Sequence, residues 1–446
     1  MGCTSGFAKR RWGLYWLAVA MAVVGIAWMA LQHGNEGGSV MLSEPRPLPP
    51  LWVMRVLSAF VHGLDGLRAL LLPPELFLAE ITAAMGRNQA LFAAAKLGIA
   101  DVIPLGLESG QRWPTAEEIA DRIGAKDGDS VYRLLRYMAS FGVFVQHEGR
   151  RFSHNKFSVF LREDHPDSPK AMAMAYGDEQ FKGWTGLPEQ IITGNTAFKS
   201  VYGAEMWEWM ARSDNSANLE NFNRMFTTIS KKTNPPLLSD FEWTSLFPSS
   251  ASNNNEKDGT VTFVDVGGGL GNVLEMLLKA FPHASGVLFD QPHVIEQAKH
   301  EPRWSSSSSL ANRSRLVGGS FLEEGSIPPD GDIYILRMII HDWNDPEARL
   351  ILRNVHQAMH TAANKNKDKR LVIVEHLLPP EGHYSSSIPF STEFLDMHMM
   401  IMMNGKERTE KQFEELFRSA SFELASVHPT RSYMHVIVAV PSTSSS

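Results

Sequence analysis

F-V-D-V-G-G-G-L-G-N, residues 263–272, decides the reading of this chain. An apolar run over 261–266 carries an acid, Asp265, near its end. Gly267, Gly268 and Gly269 follow, then Leu270 and Gly271. Apolar residues at 273, 274, 276, 277 and 278 then open a helical pattern. The reading is a strand, a tight glycine turn and a helix N-terminus. Glycine lets a backbone turn sharply and lets a ligand approach it closely. The dinucleotide fingerprint G-x-G-x-x-G would need glycine at Asn272 or at Leu274, and both positions fail it. A phosphate loop would need G-K-[ST], and no lysine follows Gly271. What remains is D-x-G-x-G-x-G over 265–271.

That spacing resembles the first motif of S-adenosylmethionine (SAM) methyltransferases. There, bare glycine backbone lies against the methionyl and ribosyl parts, and no pyrophosphate is required. A second acid supports the resemblance. G-V-L-F-D ends at Asp290, about twenty residues past the turn, where a carboxylate can accept bonds from two ribose hydroxyls. The competing reading is a glycine turn that packs a helix on a strand and binds nothing.

A chain of 446 residues is long enough for two or three domains. Its 43% hydrophobic and 20% charged content is that of a globular protein. A net charge of -7 gives no ground for a nucleic-acid partner. Cys3 is the one cysteine, which excludes an internal disulfide and a cysteine metal cluster; H-E-x-x-H is absent too, so no metal is expected. The N-terminus differs from the rest. Lys9, Arg10 and Arg11 precede an uncharged apolar stretch over 12–31, close to the ~20 residues that cross a bilayer. It reads as a single-span signal anchor, since a secretory h-region is shorter. Residues 1–50 are thus expected to form a membrane anchor or targeting segment with a proline-rich linker. The basic flank would leave the N-terminus in the cytosol and the rest facing a lumen, an endomembrane location. A plastid leader in two parts is the alternative, because SAM is made in the cytosol.

Trp52–Leu72 has an amphipathic pattern, interrupted by Arg55, His62, Asp65 and Arg68 and ended by Pro73 and Pro74. It is expected to pack a dimer or a domain. A helix closing at Gly98, one with Thr115 as N-cap, one ending at Gly142 and a hairpin turning at Glu148-Gly149 make a winged helix. The helix ending at Gly142, in the recognition position, carries only Arg133 and Arg136 beside apolar residues, so protein packing is favoured over DNA. Segments over 168–232 are helical and rich in aromatics and methionine. From about Thr260, V-T-F-V-D-V, G-V-L-F-D, S-R-L-V-G-G, I-Y-I-L, L-V-I-V-E and V-I-V-A-V alternate with helices. That order predicts an open α/β sheet with ligands at the strands' carboxyl ends. Polar runs at 249–259, 304–310 and 364–369 read as unstructured loop growths.

Three residues could do chemistry at the same sheet edge. His341 follows a buried strand in Y-I-L-R-M-I-I-H-D-W-N-D, Glu375 ends L-V-I-V-E, and Glu407 lies in N-G-K-E-R-T. An imidazole with two carboxylates suits general-base work. Asp342 and Asp345 are placed to cap the next helix.

Taken in order, V-D-V-G-G-G-L-G, F-D-Q-P-H-V-I, L-R-M-I-I-H-D-W-N-D, V-I-V-E and N-G-K-E-R-T are similar to the caffeate and hydroxyindole (acetylserotonin) type of SAM-dependent O-methyltransferases, over roughly residues 75 to 440. The resemblance implies a Rossmann-like SAM methyltransferase domain (261–440, with a tail at 441–446). A mostly helical winged-helix dimerisation domain (51–235) and a linker (236–260) would precede it. It implies a homodimer, SAM as co-substrate, the hydroxyl of a small aromatic molecule as acceptor, and no metal. His341 would be the base, with Glu375 and Glu407 flanking it. Asp265, Gly267, Gly269, Asp290, Ser320, Phe321, Arg337 and Ser230 would bind the cofactor. One departure stands out: the family's aspartate beside the adenine is Ser320 here. Two further readings stay open, S-methylation of a small thioether acid and a SAM-binding or winged-helix regulator without catalysis.

Overall fold

The computed structural model describes residues 49–248, 261–361, 368–385 and 391–442. They form two compact units. One runs to Thr185 and includes Met206–Thr228; the other comprises Gly186–Glu205 and the chain from Ile229 on.

In the first unit, α1 (Leu51–Leu71) and α2 (Pro74–Lys96) meet at the Pro73-Pro74 pair. Proline at the start of α2 gives up only an amide that a helix leaves unpaired there. Gly98, at φ 64°, stops the chain where a left-handed residue is needed. A capping box opens α3 (Ala116–Arg122): the Thr115 side chain takes the Glu118 amide and Glu118 takes the Thr115 amide. Asp127 caps α4 (Gly128–Ser140). β1 (Val145–His147) and β2 (Arg151–Ser153) close the hairpin. Ile99, Ile119, Leu135, Met138 and Phe152 form the core beneath.

The second unit is a seven-stranded sheet in the order β10-β11-β7-β6-β3-β4-β5. Its strands are β3 (Thr262–Val266), β4 (Ser285–Asp290), β5 (Ser314–Gly318), β6 (Ile333–Arg337), β7 (Arg370–Glu375), β10 (Phe422–Pro429) and β11 (His435–Pro441). β5, β4, β3, β6 and β7 pair in parallel; β11 and β10 add an antiparallel edge. A parallel sheet covered on both faces reads as continuous apolar strands, and apolar cores lie on both sides of it. After β3 the chain winds through β4 to β5, then crosses to β6 on the other side. The switch point, where α/β sheets bind ligands, therefore lies between the carboxyl ends of β3 and β6. Those ends carry Gly267 and His341. The helices that position the site are α5 (Ser216–Ser239), α6 (Asn272–Ala280), α7 (Pro292–Ala298), α8 (Asp345–Thr361), α9 (Thr392–Met403) and α10 (Glu410–Ser419). Two short strands, β8 (Leu377–Leu378) and β9 (Arg408–Thr409), pair beside them.

Several expectations are corrected. The expected membrane span, 12–31, lies outside the described residues, and among the described residues no helix is long and apolar enough to cross a membrane. Even α1, long enough to span, is broken by Arg55, His62, Asp65 and Arg68. The transmembrane part of the fold class, the membrane partner and the endomembrane or plastid location are withdrawn with it. The run at 304–310 is not unstructured: Trp304 and Leu310 are buried in the core. Lys369, at the end of the third polar run, is also buried, its ammonium donating to the Pro329 carbonyl. The remainder of that run, 364–367, and the run at 249–259 lie outside the described residues. Strand β10 is not among the expected strands: its alternation, exposed at Glu423 and Ala425, is cut by a bulge between Leu424 and Ser426 and gives way to half-buried Ser426, Val427 and His428.

Candidate active site

The turn after β3 is built from three glycines in the left-handed region, Gly267 (φ 72°), Gly269 (φ 59°) and Gly271 (φ 85°). Side chains would be strained at all three. A Cβ on Gly267 would strike Ile339, one on Gly271 would strike the Trp304 ring, and one on Gly269 would meet nothing within 4 Å. The turn is packed at both ends and open in the middle.

Asp290, at the end of β4, holds the turn: its Oδ2 accepts the Gly269 amide at 2.8 Å and its Oδ1 the Gln291 amide at 2.7 Å. Each oxygen keeps a lone pair. Asp265 is fully buried, and burial pushes its carboxyl up to about 7 against the pull of Arg337. Its Oδ2 has no hydrogen-bond partner. Arg337, half-buried at the end of β6, donates to Ser230 Oγ at 3.2 Å and Thr233 Oγ1 at 2.7 Å, both from α5. Its Nε is unpartnered, and burial lowers the guanidinium to about 10 although Asp265 favours its charge. Buried polar atoms without partners are rare, and each calls for a specific explanation, of which a bound ligand is one. Ser320 Oγ accepts the Leu322 amide at 3.3 Å, and Phe321 packs edge-on against Trp343 with ring centroids 5.8 Å apart.

The second half of the site is a turn after β6. Met338 takes φ 54°, a strained choice for a non-glycine residue. Its amide still donates to Val374 in β7. Beyond the kink, the amides of Ile339, Ile340 and His341 converge on one oxygen of Glu375, at 3.2, 2.6 and 3.1 Å. Successive amides of this kind form an anion nest. Burial raises Glu375 to about 7, against the amides and the nearby His341, which favour its ionised form.

Glu407 holds the ring: His341 Nδ1 and Glu407 Oε1 are 2.8 Å apart. Burial alone would lower the imidazole. Glu407 and Asp342 outweigh it and hold His341 up at about 10. Asp342 Oδ1 stands 3.4 Å from Nε2, and its own carboxyl is raised to about 6 by burial, with His341 opposing. The segment bearing Glu407 is laced to the His341 turn along its length. The Lys406 amide donates to the His341 carbonyl at 2.9 Å. Arg408, 1% exposed, donates to the Ile340 carbonyl at 3.1 Å and the Trp343 carbonyl at 2.9 Å, and forms an ion pair with Asp345. Asp396 of α9 takes the Glu407 amide at 2.9 Å.

Asp265, Gly267, Gly269 and Asp290 therefore gather at one side of the switch point and His341, Glu375 and Glu407 at the other, with Arg337 at the end of β6. Glu375 reaches the base through the backbone rather than the ring. Asn344, not Asp342 or Asp345, accepts the Glu347 amide in the first turn of α8. Thr233, Asp396 and Arg408 were not singled out from the sequence; Arg408 lies inside the N-G-K-E-R-T motif, and the other two carried no signal.

The sequence matches an O-methyltransferase domain over residues 184–423 and an O-methyltransferase dimerisation domain over 80–164. It is 32% identical over 374 residues to the phenazine O-methyltransferase PhzM of Lysobacter antibioticus, covering 84% of this chain and 98% of that one. The chain belongs to the O-methyltransferase family. A 3-amino-4-hydroxybenzoate 4-O-methyltransferase of Streptomyces cremeus is 30% identical, over 81% of this chain and 89% of its own. Among solved structures, an O-methyltransferase from neocarzinostatin biosynthesis in complex with SAM and a hydroxynaphthoic acid superposes with a TM-score of 0.63 at 25% identity, covering 80% of this chain and 96% of that one. This O-methyltransferase is a SAM-dependent enzyme with a small-molecule acceptor.

The site fits the co-substrate on its own chemistry. The open face of the glycine turn, the unpartnered Asp265 Oδ2 and the unpartnered Arg337 Nε offer bare backbone, an acceptor and a cationic donor to a methionyl and ribosyl ligand. Among the described residues, no group of three or more His, Cys, Asp or Glu side chains could hold a metal ion.

Proposed function

We propose that this enzyme methylates a hydroxyl of a small aromatic molecule, with His341 as general base. The observation that carries the assignment is the 2.8 Å bond from His341 Nδ1 to Glu407, made while the His341 amide is pinned by Glu375. Glu407 engages Nδ1, so Nε2, which has Asp342 Oδ1 3.4 Å away, is the nitrogen that would face the acceptor. An imidazolium held at about 10 matches the ~10 of an ordinary phenol, so proton transfer from acceptor to Nε2 is close to balanced. SAM, when bound, supplies an electrophilic methyl on a sulfonium. Asp265, the backbone of Gly267 and Gly269, Asp290 and Arg337 with Ser230 would hold it, with Ser320 and Phe321 toward the adenine. The protein's contribution is to fix geometry and to take the proton as the acceptor oxygen attacks.

An aromatic acceptor is supported by α9, where Phe394, Met397 and Met400 stay only partly buried. Thioether and aromatic surfaces of this kind pack against flat rings. Phenazine and aminohydroxybenzoate relatives are named for such substrates. We further assign a homodimer to the N-terminal domain, taken as 51–235. The supporting feature is the apolar surface of α1 and α2, where Leu64, Leu67, Leu70, Leu78, Ile81 and Met85 are exposed in the single chain. A screen of phenols and hydroxyindoles with labelled SAM tests the acceptor class. Methyl transfer to none of these, but to a thioether acid, would replace this reading.

A further inference from the structure

Trp304 stands directly before five consecutive serines, yet it is 7% exposed. Its Nε1 donates to the Leu270 carbonyl at 3.0 Å. Its ring fills the space a Gly271 side chain would take, with Nε1 3.1 Å from the position of that Cβ. The neighbouring Arg303 donates from Nη1 to Asn272 Oδ1 and to Glu275 Oε2, both at 2.6 Å, and from Nη2 to Glu301 at 2.9 Å. Two adjacent side chains thus grip Leu270, Gly271, Asn272 and Glu275, the back of the glycine turn and the first turn of α6.

We propose that Arg303 and Trp304 form a strap that preorganises the glycine turn for SAM, with Trp304 as the positioning residue. This rests on the assignment of that turn to SAM. Glycine loses more conformational freedom on folding than any other residue, and this turn holds three in the left-handed region. An unstrapped turn spends part of its time in other conformations, and apparent affinity falls by the fraction of competent molecules. The strap covers the Gly271 side, whereas Gly269 stays open. It therefore shapes the turn without occupying the ligand's place.

The test uses the full chain and three variants: Trp304→Ala, Trp304→Phe and, as a control on the turn itself, Asp290→Asn. Titration calorimetry with SAM and with S-adenosylhomocysteine reads affinity, and hydrogen exchange reads order in the turn. Trp304→Ala is expected to weaken both ligands by about 10-fold and to speed exchange over 266–272 while β7 stays protected. Trp304→Phe keeps the ring and is expected to recover most of the affinity. Wild-type affinity in Trp304→Ala with weakened binding in Asp290→Asn would overturn the strap alone. Wild-type affinity in Asp290→Asn would instead remove the assignment of the turn. Faster exchange throughout the sheet in Trp304→Ala would reduce Trp304 to an ordinary core residue and also overturn the proposal.

Discussion

Glu375 supports His341 through the backbone. Its Oε1 takes the His341 amide at 3.1 Å together with two preceding amides, while the imidazole is bonded to Glu407. The two glutamates therefore do different work, and their variants separate. Glu407→Gln removes the charge that stabilises the imidazolium and should lower kcat by ~10²–10³-fold with little change in melting temperature. Glu375→Ala leaves three amides without an acceptor and should cost about 1–3 kcal/mol of stability as well as activity. Paired urea denaturation and steady-state kinetics check both. Equal stability losses in the two variants would contradict the division.

The pH dependence follows from the raised imidazole. His341 at about 10 is protonated in the free enzyme at neutral pH. A productive complex needs one proton shared between His341 and the acceptor. For a phenol ionising near ~10, kcat/KM should rise as pH climbs toward 10. An electron-poor phenol that ionises lower should reach its plateau earlier, pairing as the anion with the imidazolium. Glu407→Gln lowers the imidazole, so the alkaline limb for that electron-poor acceptor should move to lower pH. A profile that ignores acceptor acidity would contradict the shared proton.

Gly405 has no room for a side chain. Its Cβ would collide with the His341 carbonyl and lie 2.7 Å from the Asp342 carbonyl carbon, both backbone. Gly405→Ala should displace the His341 turn by several tenths of an ångström. Turnover should fall at least ~10²-fold while SAM affinity changes little, since misplacement near the chemistry is costly. Calorimetry beside kinetics separates the two quantities.

Ser320 offers no charge at a position where the resemblance to the caffeate and hydroxyindole type implies an aspartate. Its hydroxyl accepts the Leu322 amide at 3.3 Å, a bond an aspartate can also make. Ser320→Asp should tighten SAM binding by roughly 3–10-fold, within the ~1.5 kcal/mol that a hydrogen bond to a charged group contributes. Unchanged affinity would place the adenine contact elsewhere.

Much of the site was legible because it is local. A glycine turn, an acid at each of two strand ends and a histidine past a third strand all follow from apolar runs and the residues that end them. The capping box of Thr115 and Glu118 was legible for the same reason. The role of Glu375 was not. It depends on Met338 adopting φ 54°, a conformation that tertiary packing imposes and no local pattern announces. Trp304 and Leu310 are hidden by the serines between them, since composition averaged over a loop masks the residues that pack. Asp396 and Thr233 act through bonds to residues 11 and 104 positions away, beyond any spacing rule.

In the proposed mechanism His341 takes the acceptor's proton and has no part in holding SAM. The direct measurement is His341→Ala, assayed with the acceptor found by labelled-SAM screening and titrated in parallel with SAM. SAM affinity is expected to stay within about threefold of the parent while turnover falls by on the order of 10³-fold or more. Near-parental turnover in that variant would contradict it.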